Sequence, residues 1–213
     1  MNRPLIILAS ASPRRAQLLR NMGLEFRTVI SNVTEVHHDQ LTAGEVAQVN
    51  AYRKARTVAK KFPDALVIGA DTLVHMDEKL YGKPLDLSEA YLMLEDLQGR
   101  THQVTTAICL LHLRERKQRI LSEDTSVTFR PLDAIQIRRY LAQVDPLDKA
   151  GAYAIQECGD MLIERISGSY TNVVGLPVEK LTAELDRMGV LAHPGIPPAS
   201  HEKPHGAGWR RHA

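Results

Sequence analysis

Apolar runs alternate with helical stripes along this chain, and each change of period carries its own punctuation. Residues 5–9, LIILA, form a run short enough for a buried strand. Ser12 and Pro13 then suit the N-cap and first position of a helix that Gly23 closes. Thr42 and Glu45 make a capping-box pair ahead of an alanine- and lysine-rich stretch, predicting a helix over residues 43–61 that carries Lys54. Residues 65–74, ALVIGADTLV, read as a second buried strand. Asp71 falls at or just beyond the C-terminal end of that strand, where ligands of open α/β sheets collect. A second capping pair, Asp86 and Glu89, opens a helix whose apolar stripe is Ala90, Met93, Leu94 and Leu97, and Gly99 stops it.

Residues 101–113 and 119–129 read as two long strands joined in a hairpin across the polar RERKQ. Asp133 caps a helix with Ile137, Tyr140, Leu141 and Val144 inward, and Pro177 starts a last helix through Val178, Leu181, Leu185 and Met188. Between these helices a glycine-rich, polar stretch reads as loops and strands lining a site. Residues 192–213 lack periodicity and read as a disordered tail. Strands alternating with helices, with one long hairpin added, imply a mixed α/β fold.

Composition narrows the field by exclusion. The chain has 213 residues, 44% of them hydrophobic, enough for one substantial core or two smaller lobes. Its net charge of +2 does not suggest a protein that coats nucleic acid, so any basic site must be local. No run of 18 apolar residues exists and the N-terminus lacks a signal-peptide pattern, which points to a cytoplasmic protein without a membrane partner. Cys109 and Cys158 have neither CxxC spacing nor further partners, which favours reduced thiols over a disulfide or zinc site. There is no Walker A sequence, no GxGxxG after a strand and no GxSxG, so kinase, dinucleotide and serine-hydrolase chemistry lack their motifs. His102 stands alone and reads as structural.

Candidate chemistry begins with Arg14 and Arg15, adjacent cations at the start of a helix, where the macrodipole favours an anion instead. That placement makes sense when a phosphate arrives to neutralise both. Across the predicted element junctions stand Arg14, Arg15, Lys54, Lys83 and Lys149, set against Glu35, Asp71, Asp148 and Glu157. A triphosphate carries about four negative charges and needs several cations together with a divalent ion held by carboxylate oxygens. Hydrolysis of a phosphoanhydride then asks the protein for positioning, charge neutralisation and an oriented water, which Asp71 could hold or deprotonate.

The segments LASASPRRAQLL, GADTLV with GKPLD, GRTHQVTT, DKAGAYAIQ and GSYTNVVGLP, in this order, resemble the Maf family of nucleoside triphosphate pyrophosphatases, also called septum-formation inhibitor proteins. The resemblance runs from about Ile7 to Leu185 and implies one nucleotide pyrophosphatase domain over residues 1–191. It implies an α/β fold: a mixed, elongated sheet with flanking helices and a cleft between two lobes, like the inosine triphosphate pyrophosphatases. The implied reaction converts a nucleoside triphosphate and water to the monophosphate and pyrophosphate with a divalent cation, Mg²⁺ or Mn²⁺, and the implied assembly is a homodimer. Carried over position by position, Asp71, Lys83, Glu35 and Lys54 are the catalytic set, with Glu35 and Asp71 holding the metal. Ser10, Arg14, Arg15, Thr72 and Gln156 bind substrate, with Arg14, Thr72 and Gln156 at positions assigned to selectivity.

AYAIQ and GSYTNVVGLP resemble the branch that prefers dTTP and UTP, and the Gln156 amide offers a donor and an acceptor for the O4 and N3–H edge of uracil and thymine. The chain departs from the family at Glu157, where glycine is usual, and at Gln98, where serine is usual. Two alternatives stand beside this reading: the same reaction on 7-methyl-GTP or another noncanonical nucleotide, and a binding protein that restrains septum formation.

Overall fold

The computed structural model describes residues 4–36 and 40–191. Among them, β1 (Ile6–Leu8), α1 (Pro13–Asn21) and β2 (Arg27–Thr28) come first, followed by α2 (Ala43–Ala59), β3 (Leu66–Met76) and β4 (Lys79–Tyr81). Next are α3 (Leu87–Leu97), β5 (Thr101–His112), β6 (Lys117–Phe129) and α4 (Ala134–Leu141). A single 3-10 turn (Ala150–Ala152), α5 (Gly159–Leu162), β7 (Ile163–Ser167), α6 (Tyr170–Val174) and α7 (Val178–Arg187) complete the order. The strands make one mixed sheet in the order β2-β1-β3-β5-β6-β7, with β4 paired to β3. β1 runs parallel to β2 and β3, whereas β3, β5, β6 and β7 pair antiparallel.

The predicted caps form with physical detail added. Ser12 Oγ accepts from the Arg15 N–H, and Thr42 and Glu45 complete a reciprocal capping box. Asp86 accepts from the Glu89 N–H, but Glu89 reaches back to the Leu85 N–H, so this cap lacks the reciprocal bond. Three other expectations need revision. The hairpin turn is Leu113–Arg116 and β6 begins at Lys117, because cross-strand pairing runs on to His112↔Lys117. Val144 lies beyond the end of α4. The stretch before Pro177 holds the short helices α5 and α6 as well as β7, since Ser169 caps a helical turn through its bond from the Asn172 N–H.

The largest correction concerns Asp71, which lies in the middle of β3 and not at its end, opposite Ala107 of β5. The strand that ends near Asp71 is β1, whose last partner on β3 is Ile68. β4 joins the same edge only at Val74. Between Ile68 and Val74 one edge of β3 therefore has no partner strand among the described residues, and the apolar run was prolonged by the β5 pairing.

This gap coincides with the seam between two lobes. On one face of β3, Leu66, Ile68 and Ala70 pack with α1 and α7 in one core, and Val74 and Met76 pack with α3 and α4 in another. The residue between them, Thr72, is polar, as is Thr106 opposite it on β5. On the other face α2 covers Val67 and Leu73. α2 comes unusually close there: a Cβ on Gly69 would stand 2.3 Å from the Ala51 carbonyl oxygen and 2.8 Å from the Ala55 nitrogen. Only glycine permits that approach. Among the described residues no helix is long and apolar enough to cross a membrane.

Candidate active site

A cleft of about 540 Å³ opens at the gap in the sheet, so side chains from both faces of β3 reach it. Consecutive residues of a strand point to opposite faces. Asp71 therefore meets α2 while Thr72 meets α1, and both line the cleft.

On the α2 side, Lys54 donates to Asp71 Oδ1 at 2.6 Å and to Glu35 Oε1 at 2.7 Å. Lys54 is 8% exposed and Asp71 3%, so the ammonium is shared between two carboxylates out of bulk water. The second Asp71 oxygen, Oδ2, accepts from Asn50 Nδ2 at 3.2 Å. Asn50 also exchanges bonds with the backbone of Val36, which ties the Glu35 segment to α2. Burial by itself would push the Glu35 carboxyl up, but the Lys54 hydrogen bond and charge, with Lys83 and Arg15, hold it below its ordinary value. Glu35 Oε2 accepts no hydrogen bond among the described residues.

On the α1 side Arg15 is held by three acceptors. Its Nε donates to the Gly175 carbonyl at 2.8 Å, one terminal nitrogen to Thr72 Oγ1 at 2.8 Å, and the other to Ser10 Oγ at 3.2 Å. Thr72 in turn meets Thr106, whose hydroxyl donates to the Asn172 carbonyl. Gly175 has φ +121°, a conformation open to glycine, and that turn presents its carbonyl to Arg15. Burial lowers the Arg15 pKa from its ordinary value, while Asp71 and Glu35 oppose that shift. The polar layer between the two apolar cores thus serves to fix one guanidinium.

At the far wall Arg14 donates to Asp148 Oδ2 at 3.2 Å and lies 3.8 Å from Glu157. Lys149 pairs with Asp148 at 2.7 Å and Glu157 at 3.2 Å. Lys83 is exposed at the cleft and forms no ion pair among the described residues. Gln156 is exposed, lines the cleft and makes no hydrogen bond there, which leaves its amide free.

Every residue singled out from the sequence as catalytic or substrate-binding lines this one cleft: Ser10, Arg14, Arg15 and Glu35, then Lys54, Asp71, Thr72, Lys83 and Gln156. Sequence reading missed Asn50, Thr106 and Gly175. Asn50 had a signal, since it sits four residues before Lys54 and so on the same helical face. Thr106 and Gly175 act through distant partners, and although both stand in the segments GRTHQVTT and GSYTNVVGLP, nothing local marks them as cleft residues. His102, lacking a partner in sequence, meets the Tyr153 hydroxyl at 2.8 Å and packs edge-on to Phe129. Burial pushes its pKa down to about 4, in keeping with a neutral core residue.

No group of three or more acidic, histidine or cysteine side chains gathers among the described residues. Of the four carboxylate oxygens of Glu35 and Asp71, Glu35 Oε2 alone accepts no hydrogen bond among the described residues. A divalent ion that takes its remaining ligands from phosphate oxygens and water fits such a pair, and Mg²⁺ commonly binds in that way.

The structure is a mixed α/β fold with a cleft walled by five cations and three carboxylates, and the comparisons say which family has it. The family described as Maf-like protein matches residues 5–188, and the chain belongs to that family. A dTTP/UTP pyrophosphatase of Pelotomaculum thermopropionicum is 45% identical over 184 residues, covering 86% of this chain and 96% of the relative. One from Desulforamulus reducens is 43% identical, with 87% and 97% covered. One from Symbiobacterium thermophilum is 45% identical, with 86% and 94% covered. A crystal structure of protein VC0702 from Vibrio cholerae overlaps 68% of this chain and 72% of its own at 13% identity, with a TM-score of 0.33.

Proposed function

We propose that this protein is a nucleoside triphosphate pyrophosphatase that hydrolyses dTTP and UTP to the monophosphate and pyrophosphate. The observation that carries the reading is the convergence of Arg14, Arg15, Lys54, Lys83 and Lys149 on the one cleft that also holds the Asp71 carboxylate. Relatives over most of the chain that bear the dTTP/UTP pyrophosphatase name support the same choice.

Arg15, pre-oriented by Ser10, Thr72 and Gly175, presents a fixed guanidinium to the phosphates, and Lys83 adds a cation with no ion pair to break among the described residues. Asp71 receives the proton of a water whose oxygen bonds to phosphorus at the α–β bridge while the bridging P–O bond breaks and pyrophosphate departs. Lys54 and Asn50 hold that carboxylate in place from either oxygen. Glu35 and Asp71 would hold the divalent cation, Mg²⁺ or Mn²⁺, which when bound supplies charge neutralisation on the phosphate oxygens. Gln156 reads the pyrimidine edge with a donor and an acceptor that no other group among the described residues occupies.

The test is pyrophosphate release with Mg²⁺ over dTTP, UTP, CTP and 7-methyl-GTP, with Asp71→Asn as control. Turnover of dTTP and UTP is expected, falling at least about 100-fold in the control, the loss typical of a removed general base. Turnover confined to 7-methyl-GTP would overturn the substrate assignment, and full activity of the control would remove Asp71 from the chemistry.

A further inference from the structure

The far wall of the cleft contains a closed set of four charges. Arg14 and Lys149 are each in reach of both Asp148 and Glu157, at 3.2, 3.8, 2.7 and 3.2 Å, so two cations are matched by two carboxylates. Arg14, Asp148 and Lys149 line the cleft, whereas Glu157 does not. Glu157 therefore acts on the bound molecule only through the two cations in front of it.

The backbone around these groups is pinned. Gly151 has φ +69° and its Cα faces Val74 so closely that a Cβ would come within 3.1 Å. Ala152 and Cys158 also have positive φ, at 63° and 54°, a conformation that non-glycine residues hold only where their surroundings impose it. Lys149 is 5% exposed, donates to the Asp145 carbonyl and to Asp148, and pairs with Glu157. It cannot swing away to meet a ligand elsewhere in the cleft without breaking three contacts.

Charge on the cleft as a whole shows what Glu157 changes. Its walls carry five cations, Arg14, Arg15, Lys54, Lys83 and Lys149, against the three carboxylates Glu35, Asp71 and Asp148. Glu157 removes half of the remaining excess of two. The geometry points to Glu157 as a positioning residue that sets how tightly the cleft grips polyphosphate: by occupying Arg14 and Lys149 it weakens the hold on triphosphate and on departing pyrophosphate alike. This inference rests on the phosphate-binding reading of the cleft proposed above.

Glu157→Gln keeps the side-chain shape and removes the charge, and Glu157→Asp keeps the charge. Calorimetric titration of each full-length protein with inorganic pyrophosphate reads the grip without requiring turnover. Pyrophosphate is expected to bind about fivefold more tightly to the glutamine variant, the worth of one partly exposed ion pair, and at nearly the parent affinity to the aspartate variant. Steady-state kinetics should place the same change in KM for triphosphate, with a steeper loss of affinity as salt is raised. Equal or weaker pyrophosphate binding by Glu157→Gln, or a gain in Glu157→Asp as large as in the glutamine variant, would overturn the inference. Failure of the parent protein to turn over any triphosphate would instead defeat the proposed reaction, and the pyrophosphate affinities would still decide the part played by Glu157.

Discussion

Asp71 and Glu35 share the Lys54 ammonium, and at the scale of single residues this triad is the centre of the proposed chemistry. Glu35 allows a pH experiment with a definite sign. A carboxyl whose folded pKa lies below its ordinary 4.5 contributes stability above that value and loses it as pH falls through the lower, folded value. The difference in Tm between the parent and Glu35→Gln should therefore be present at neutral pH and close as pH drops well below 4.5. A difference that persists undiminished in strong acid would show that the Lys54 pair is not its source. Arg14, Arg15, Lys54 and Asp71 were legible in the sequence through their collective placement at predicted element junctions, since each charge taken singly reads as a solvated one. Their partners were not visible, because Thr72, Thr106 and Gly175 have ordinary side chains or none, and only folding brings them to Arg15.

At the scale of elements, the site depends on how closely α2 lies on β3. Gly69 removes the Cβ that would collide with the backbone at Ala51 and Ala55, and Asn50 and Lys54 flank that contact on the same helix. Gly69→Ala should push α2 outward, costing about 1–3 kcal/mol of stability by overpacking. Because α2 carries both partners of Asp71, kcat/KM should fall as well. Urea unfolding and pyrophosphate release on the same preparation check the two effects together. A variant as stable and active as the parent would show that the helix can retreat without cost. Most element boundaries were legible from caps and period, since Ser12, Thr42, Asp86 and Asp133 mark real helix starts. The middle of β3 was misread as its end because an apolar run reports burial, and burial is supplied equally by a parallel or an antiparallel neighbour.

At the scale of the whole molecule, two apolar cores meet across a polar layer, and the cleft opens where that layer reaches the unpaired edge of β3. The C-terminal end of the first core is closed by Val190, with Leu191 packed against it. A chain ending at Leu191 should keep the Tm and the kcat/KM of the full protein, because among the described residues both cores and the whole lining of the cleft are built without going past that point. A marked loss in either measurement would show that residues 192–213 contribute to the fold or the site. The disordered tail that the lack of periodicity predicts for residues 192–213 lies outside the described residues.

What the sequence determined by itself is local: periods of burial, helix starts, an arginine pair set against a helix dipole, and a series of segments characteristic of one family. Each of these is carried by residues close together in the chain, so no knowledge of the fold was needed to read them. Only the tertiary structure decided that β1 leaves β3 at Ile68 and that β4 joins the same edge at Val74, and the gap between these pairings is what opens the cleft. It also decided that Arg14 and Lys149, 135 positions apart in the chain (149 − 14), answer to the same two carboxylates. Pairings of that kind depend on the register of strands and the approach of helices, quantities set by packing over the whole chain and recorded in no single stretch of it.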